Sequence, residues 1–274
     1  MSVIETKLNI GVKSPFSVIH VTDTHLTYAD MRDGERKVLL SERRRPHFPY
    51  AEPNLELASK LSKEKGIPIL HTGDLLDFVS LANLERVKKF TNENDCFAVA
   101  GNHEFSLYVG EAKEDAAYRN QSLPAVQAVF KNDIRMASRV IGGINFVALD
   151  NGYYLFDADQ LAFLKNEAKK EIPMVLMMHT PLYEEKLHAI RTQNNPVAFL
   201  AGVPEHLMGE YPPRRYEQQL ADEITRKTLE FIHDEPRIKA ILAGHIHHNY
   251  EGTVGERIPQ ITTAISDIRL IEFT

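Results

Sequence analysis

The sequence predicts an α/β fold in which sheets pack face to face with helices outside. Three observations predict it. Short apolar runs rich in β-branched residues recur between Phe16 and Ala243, helical periodicities lie between them, and residues 250–274 hold strand-like pieces split by Gly252, Gly255 and Pro259.

In chain order, the runs Phe16–Val21, Ile67–Leu70, Phe97–Ala100, Ile144–Leu149, Met174–Met178 and Ile238–Ala243 read as strands. Their near-continuous apolarity suits strands covered on both faces. Pro53–Lys65 (Leu55, Leu57, Ala58, Leu61), Leu81–Phe90 (Leu84, Val87, Phe90) and Asp159–Lys169 (Leu161, Leu164, Ala168) read as helices. At the end, Pro259–Ala264 and Ile268–Phe273 read as strands of hairpins. Two segments resist an element assignment. Residues 30–50 mix Arg32, Arg36, Lys37 and Arg43–Arg45 with Asp30, Asp33, Glu35 and Glu42, which reads most simply as a solvated surface. Residues 188–216 contain Pro196, Pro204, Pro212 and Pro213, and loops of that length in compact domains are often lids or binding loops.

A chain of 274 residues, 43% hydrophobic and 26% charged, is long enough for a large core, and one layered α/β domain can use residues 1–274 entirely. Lys+Arg 32 against Asp+Glu 38 gives a formal charge of −6, which disfavours a broad basic face for nucleic acid. Cys96 stands alone and cannot form an internal disulfide, as expected among reduced thiols, so the expected location is cytoplasmic. Residues 1–15 carry no apolar stretch of signal-peptide length, and no run approaches the ~18 apolar residues of a membrane span. The reading is a soluble, unprocessed protein without a membrane partner.

Polar residues interrupt the pattern where five apolar runs end. Asp23 and His25 follow the first run, Asp74 and Asp77 the second, Asn102, His103 and Glu104 the third, His179 the Met174–Met178 run, and His245 and His247 the Ile238–Ala243 run. Ligands bind at the carboxyl ends of strands in open α/β sheets, so parallel strands would bring all five clusters to one rim. Carboxylates and imidazoles gathered there must be paired, hydrated or metal-bound. Seven Asp, Asn and His donors exceed the needs of one tetrahedral zinc, and without sulfur they match two divalent ions such as Mn, Fe or Zn.

Taken singly, each string has a bland reading. Asp23 with His25 is a strand-end turn, Gly73-Asp74 a turn signal, and His179 before Thr180-Pro181 a satisfied strand-terminal histidine. Together they carry a resemblance. Asp23-Thr-His25, Gly73-Asp74-Leu-Leu-Asp77, Gly101-Asn102-His103-Glu104, His179 and Gly244-His245-Ile-His247 resemble, in order, the motifs of the calcineurin-like binuclear metallophosphoesterases, including their small bacterial phosphodiesterases. The resemblance implies a four-layer α-β-β-α sandwich of two mixed sheets flanked by helices. It also implies two divalent or mixed-valence ions: one on Asp23, His25, Asp74 and His247, the other on Asp74, Asn102, His179 and His245, with Asp74 bridging. The reaction implied is in-line attack of a metal-bound hydroxide on phosphorus, with His103 protonating the leaving oxygen and Glu104 supporting the site.

Gly73, Gly101 and Gly244 are expected where the chain turns sharply and a positive φ is needed. His20 and His71 read as core or supporting residues, His248 as an outer neighbour, and His47, His188, His206 and His233 as surface residues. Asp77 is expected to accept hydrogen bonds that hold its turn, and Cys96 to be an inert buried thiol. Protein Ser/Thr phosphatases of the family carry phosphate-clamping arginines where this chain has Phe78 and Ala100, so the expected substrate is a small phosphodiester, nucleotide-like in kind. Phosphomonoesters, or nucleic acid cut by a nuclease, are the alternatives, and a non-catalytic metal-binding module is the alternative of another class. Loop groups Arg32, Arg36, Arg43–Arg45, Arg191, Arg214 and Arg215, with Tyr183, Tyr211 or Tyr216, are candidates to contact substrate; residues 30–50 and 188–216 are the expected lid segments.

Overall fold

The computed structural model describes residues 2–111 and 114–274. Eleven strands form two mixed sheets among the described residues. The first contains β1 (Ser2–Leu8), β2 (Phe16–Val21), β3 (Ile69–Thr72), β4 (Cys96–Val99) and β11 (Asp267–Phe273), in the order β1-β11-β2-β3-β4. The second contains β5 (Met136–Ile141), β6 (Ile144–Leu149), β7 (Met174–Met177), β8 (Ile238–Ala243), β9 (Tyr250–Val254) and β10 (Ile258–Thr262), in the order β5-β6-β7-β8-β10-β9. Strands β2, β3 and β4 run parallel, as do β6, β7 and β8, so both sheets send strand carboxyl ends to a common rim.

Alternation along these strands builds the layers. Val18, Leu70 and Phe97 meet Phe146, Val175 and Leu242 between the sheets. Their neighbours Ile19, Ile69 and Ala98 face outward against Leu55 and Ala58 of α2 (Ala51–Lys65) and Val87 and Phe90 of α3 (Leu81–Glu93). On the opposite outer face, Val147, Leu176 and Ile241 pack on Leu164 of α5 (Ala158–Ala168) and Ile232 of α8 (Glu223–Asp234). Both faces of each sheet are covered, which is why its strands read as unbroken apolar runs. The four-layer sandwich expected from the sequence is therefore the observed architecture.

Helix ends follow local chemistry. Ser80 caps α3 by accepting from the Asn83 N–H, Asp157 and Gln160 form a capping box on α5, and Gly66 closes α2 in the left-handed conformation at φ 65°. The helices read from periodicity, Pro53–Lys65, Leu81–Phe90 and Asp159–Lys169, coincide with α2, α3 and α5 to within a few residues. The strand read as Ile67–Leu70 begins at Ile69, and that read as Phe97–Ala100 begins at Cys96.

Three expectations are corrected. The C-terminal strands do not form a run of hairpins: β9 and β10 pair antiparallel, but β11 crosses to the other sheet and inserts between β1 and β2. Residues 30–50 are more than a solvated surface, since they form α1 (Glu35–Arg44), and Phe48 beyond it is buried against α2 and β3. Residues 188–216 are not one long loop; they include the end of α6 (Glu185–Arg191) and the start of α7 (Pro213–Gln219), with Val197, Leu200, Val203 and Met208 packed in a small core of their own. The sequence also left β1, β5, α4 (Ala116–Gln127) and α8 unassigned.

Candidate metal centre

Five strand ends converge as the sequence requires. The turn after β2 is stitched to the turn after β3 by Asp23 N–H to the Gly73 carbonyl (3.0 Å) and His25 N–H to the Asp74 carbonyl (2.8 Å). The two sheets are joined across the site: the His245 N–H donates to Asp23 Oδ2 (2.8 Å), and His179 Nδ1 donates to the Thr72 carbonyl (2.8 Å). Glu104 is fully buried and clamps the loops carrying Asp74 and Asn102. Its Oε2 accepts from the Asp74 and Gly101 N–H groups (2.7 and 2.6 Å), and its Oε1 from Leu75 (2.6 Å). Burial and the Asp74 charge push the Glu104 carboxyl up to about 7, against the pull of these backbone donors.

Backbone conformation marks the same residues. Asp23, His25, Asp74, His245 and His247 all have positive φ, between 49° and 66°, which costs about 1 kcal/mol or more for each non-glycine residue. Of the three motif glycines, only Gly73 has a positive φ (91°). Gly101 and Gly244 are needed instead for close approach: a Cβ on Gly101 would stand 2.3 Å from Asp74 Oδ1, and one on Gly244 1.9 Å from Thr22 Oγ1.

At the centre lies the Asp74 carboxylate. Its Oδ2 is 3.6 Å from His25 Nε2 and 3.1 Å from His179 Nε2, while its Oδ1 accepts from the His103 N–H (2.8 Å). His25 Nε2 faces His247 Nε2 at 3.3 Å, and His179 Nε2 faces His245 Nδ1 at 3.1 Å. Asp23 Oδ1 lies 3.3 Å from His247 Nε2, 3.8 Å from His25 Nε2 and 3.9 Å from His179 Nε2. Six of the seven sequence-predicted donors, with His103, fall into three clusters, Asp23-His25-His247, His25-Asp74-His103 and Asp74-His179-His245, within each of which the ligand atoms lie within 4.8 Å of one another; Asn102 borders the cavity that His103 and His245 also line.

The supporting roles of four groups escaped the sequence reading, Arg44 having been expected to contact substrate. Arg44, at the end of α1, donates to Asp77 through Nε (2.7 Å) and Nη2 (2.8 Å). Asp77 Oδ1 is also 3.1 Å from both His25 Nδ1 and His103 Nδ1, so one buried carboxylate orients two imidazoles. Burial opposes its charge, but Arg44 and the two imidazoles hold the Asp77 carboxyl far below the usual range. Phe48 stacks on His25 with ring centroids 4.1 Å apart. Tyr154 Oη is 3.1 Å from His245 Nε2, and Asn151 exchanges two hydrogen bonds with the backbone of Thr180, beside His179. A signal for the last pair was present: the Ile144–Leu149 run also ends in polar residues, Asp150-Asn151.

A profile of calcineurin-like phosphoesterases matches residues 16–249. The chain belongs to the calcineurin-like phosphoesterase family. Among solved structures, this phosphoesterase is similar to a dimetal phosphatase from Danio rerio (TM-score 0.52, 13% identity, covering 91% of this chain and 88% of that one). It is also similar to a putative 5′-nucleotidase from Staphylococcus aureus (TM-score 0.45, 14% identity, 92% and 49%) and a phosphopantetheinyl hydrolase from Mycobacterium tuberculosis (TM-score 0.45, 9% identity, 91% and 90%). At these identities the likeness is one of fold, and the chain spans about half the length of the nucleotidase. No curated protein sequence matches the chain significantly.

Family membership and the Asp/His clusters support a binuclear metal site, and the chain's own atoms fit one. Asp23 Oδ1 and Asn102 Oδ1 are buried without a hydrogen-bond partner, which is costly for polar atoms unless something else answers them. A carbonyl only accepts, so His179 carries its proton on Nδ1 and presents a lone pair on Nε2; the Asp77 contact does the same for His25. These lone pairs face further imidazole nitrogens across the Asp74 carboxylate. Only a proton or a cation reconciles that arrangement. Among protein groups alone, burial lowers His179, but Asp74 and Asp23 outweigh it and raise its pKa to about 10. Divalent ions would answer the same carboxylates and displace that proton.

Beside the centre, Asn102, His103 and His245 line a cavity of about 310 Å³ whose far wall is Phe199, Arg214 and Arg215. Residues 199–215 of the second unassigned segment therefore border the site. Arg215 donates to Glu114 (2.8 Å) and lies 5.3 Å over the Phe199 ring. No described helix is long and apolar enough to cross a membrane.

Proposed function

We propose that this chain is a two-metal phosphoester hydrolase acting on a small phosphodiester, nucleotide-like in kind. In this reading Asp23, His25, Asp74 and His247 hold one ion and Asp74, Asn102, His179 and His245 the other. The oxygen and nitrogen donors suit Mn, Fe or Zn. When bound, such ions act as Lewis acids on the phosphoryl oxygens and lower the pKa of water towards 7, supplying a nucleophile at neutral pH.

The chain's own residues do the rest. Among protein groups alone, burial lowers the His103 imidazole, but Asp74 and Asp77 overcome it and raise its pKa to about 9; with Asp74 given to the ions, Asp77 would be the carboxylate that favours the protonated ring. Asp77 engages Nδ1, which leaves Nε2–H to give its proton to the leaving oxygen as the P–O bond breaks. Glu104 holds the Asp74 and Asn102 loops at fixed separation, and Arg215 and Phe199 wall a cavity whose volume suits a small substrate.

The observation that carries this reading is the Asp74 carboxylate flanked by two inward-facing imidazole pairs. It is tested by hydrolysis of bis-p-nitrophenyl phosphate and p-nitrophenyl phosphate with Mn, Fe or Zn added. Diester turnover that falls 10²- to 10⁴-fold in His103→Ala is expected. Turnover of the monoester alone would make the enzyme a phosphatase, and none with any divalent ion would favour a non-catalytic module.

A further inference from the structure

A second cavity, of about 340 Å³, shares a wall residue, Val109, with the metal-side one. Its wall is basic: Arg36, Arg43, Arg44 and His47 surround it, with Tyr108 on one side and, among the described residues, Glu111 as the one acid lining it. Two of these charges are already answered. Arg44 is held by Asp77, and Arg36 by Glu111. Arg36 also lies 3.9 Å over the Tyr108 ring, which fixes its guanidinium at the cavity wall. Arg43 has no carboxylate partner among the described residues; its Nε reaches only the Leu39 carbonyl of its own helix, at 3.4 Å. Arg43 and His47 thus offer donors towards a concave surface whose own acid is spent on Arg36.

We infer that this Arg36-Arg43-His47-Tyr108 cavity binds a second anionic group of the substrate, distal to the scissile phosphate. The inference rests on the hydrolase reading above and names its substrate more closely: a phosphodiester bearing another phosphate. Both cavities have volumes at the lower end of small-ligand sites, so a substrate filling both would place one anionic group in each. The two cavities are also coupled mechanically. Arg44 lines the basic cavity and grips the carboxylate that orients His103 and His25, and Phe48, next to His47, stacks on His25. Guanidinium groups are the natural partners of phosphate at such a place.

The test compares a 5′-phosphorylated dinucleotide with the same dinucleotide lacking the 5′-phosphate, both with a non-hydrolysable linkage in which a methylene replaces a bridging oxygen and the negative charge is kept, titrated calorimetrically into the metal-loaded protein. In the unaltered protein the 5′-phosphate should tighten binding at least tenfold, and in Arg43→Ala/His47→Ala the gain should fall to twofold or less. A gain equal in both proteins, or none in the unaltered one, would overturn the subsite. Neither arm needs turnover, so loss of the hydrolase reading is separately visible as absent hydrolysis of bis-p-nitrophenyl phosphate. Binding of the dinucleotide lacking the 5′-phosphate reads out the rest of the site in both proteins, and a parallel weakening of that binding in the double variant would assign Arg43 and His47 a structural role and overturn the subsite.

Discussion

Asp74 is asked to do more than any other residue in the chain. It holds a left-handed backbone at φ 56°, accepts the His103 N–H on one oxygen and presents the other between His25 and His179. Asp74→Asn keeps the shape and removes the charge, so kcat is expected to fall about 10³-fold or more, because several kcal/mol of charge stabilisation go with it. Gly101→Ala is expected to be as damaging to metal binding while leaving the far-ultraviolet circular dichroism unchanged, since its Cβ would displace Asp74 Oδ1. The motif positions were legible because each places a polar group where an apolar strand stops. Arg44 was not. Nothing in the run Arg43–Arg45 distinguishes the guanidinium that reaches Asp77 from Arg43, which lines the neighbouring cavity, and Arg45, which lies over the Tyr28 ring.

At the scale of elements, α1 is the piece whose role the sequence hid. Mixed charge reads as solvation, yet the end of this helix supplies the partner of a fully buried carboxylate. Arg44→Ala leaves Asp77 with its two imidazoles only, and the expected cost is about 2–3 kcal/mol in urea unfolding, somewhat below that of breaking a fully buried pair because Arg44 is itself a quarter exposed. Strand β4 makes the opposite case, since Cys96 at its start, expected to be a buried thiol, is buried. Burial pushes the Cys96 thiol up to about 12, so the reactive thiolate is scarce at any pH below that. Cys96 should resist Ellman's reagent at pH 8 in the native protein and react within minutes in denaturant. The unassigned β5 and β1 lie at sheet edges, where half-exposed strands lose the continuous apolarity that betrays central ones.

The whole molecule depends on a connection that no local pattern encodes. Strand β11 was legible as a strand, but its alternation is equally compatible with a hairpin beside β10; its true place between β1 and β2 is set by tertiary packing of Ile271 and Phe273 between the sheets. Deleting residues 267–274 is therefore expected to abolish cooperative thermal unfolding, whereas removal of a terminal hairpin strand would merely lower the midpoint. The same two-sheet closure brings His179 and His245 from one sheet to Asp23, His25 and Asp74 of the other, so the metal centre and the fold stand together. The most direct measurement is the metal stoichiometry of the chelator-treated protein after dialysis against Mn or Zn. Two ions per chain, reduced to one or fewer in Asp74→Asn, is the expected result; a single ion per chain, unaffected by that substitution, would contradict it.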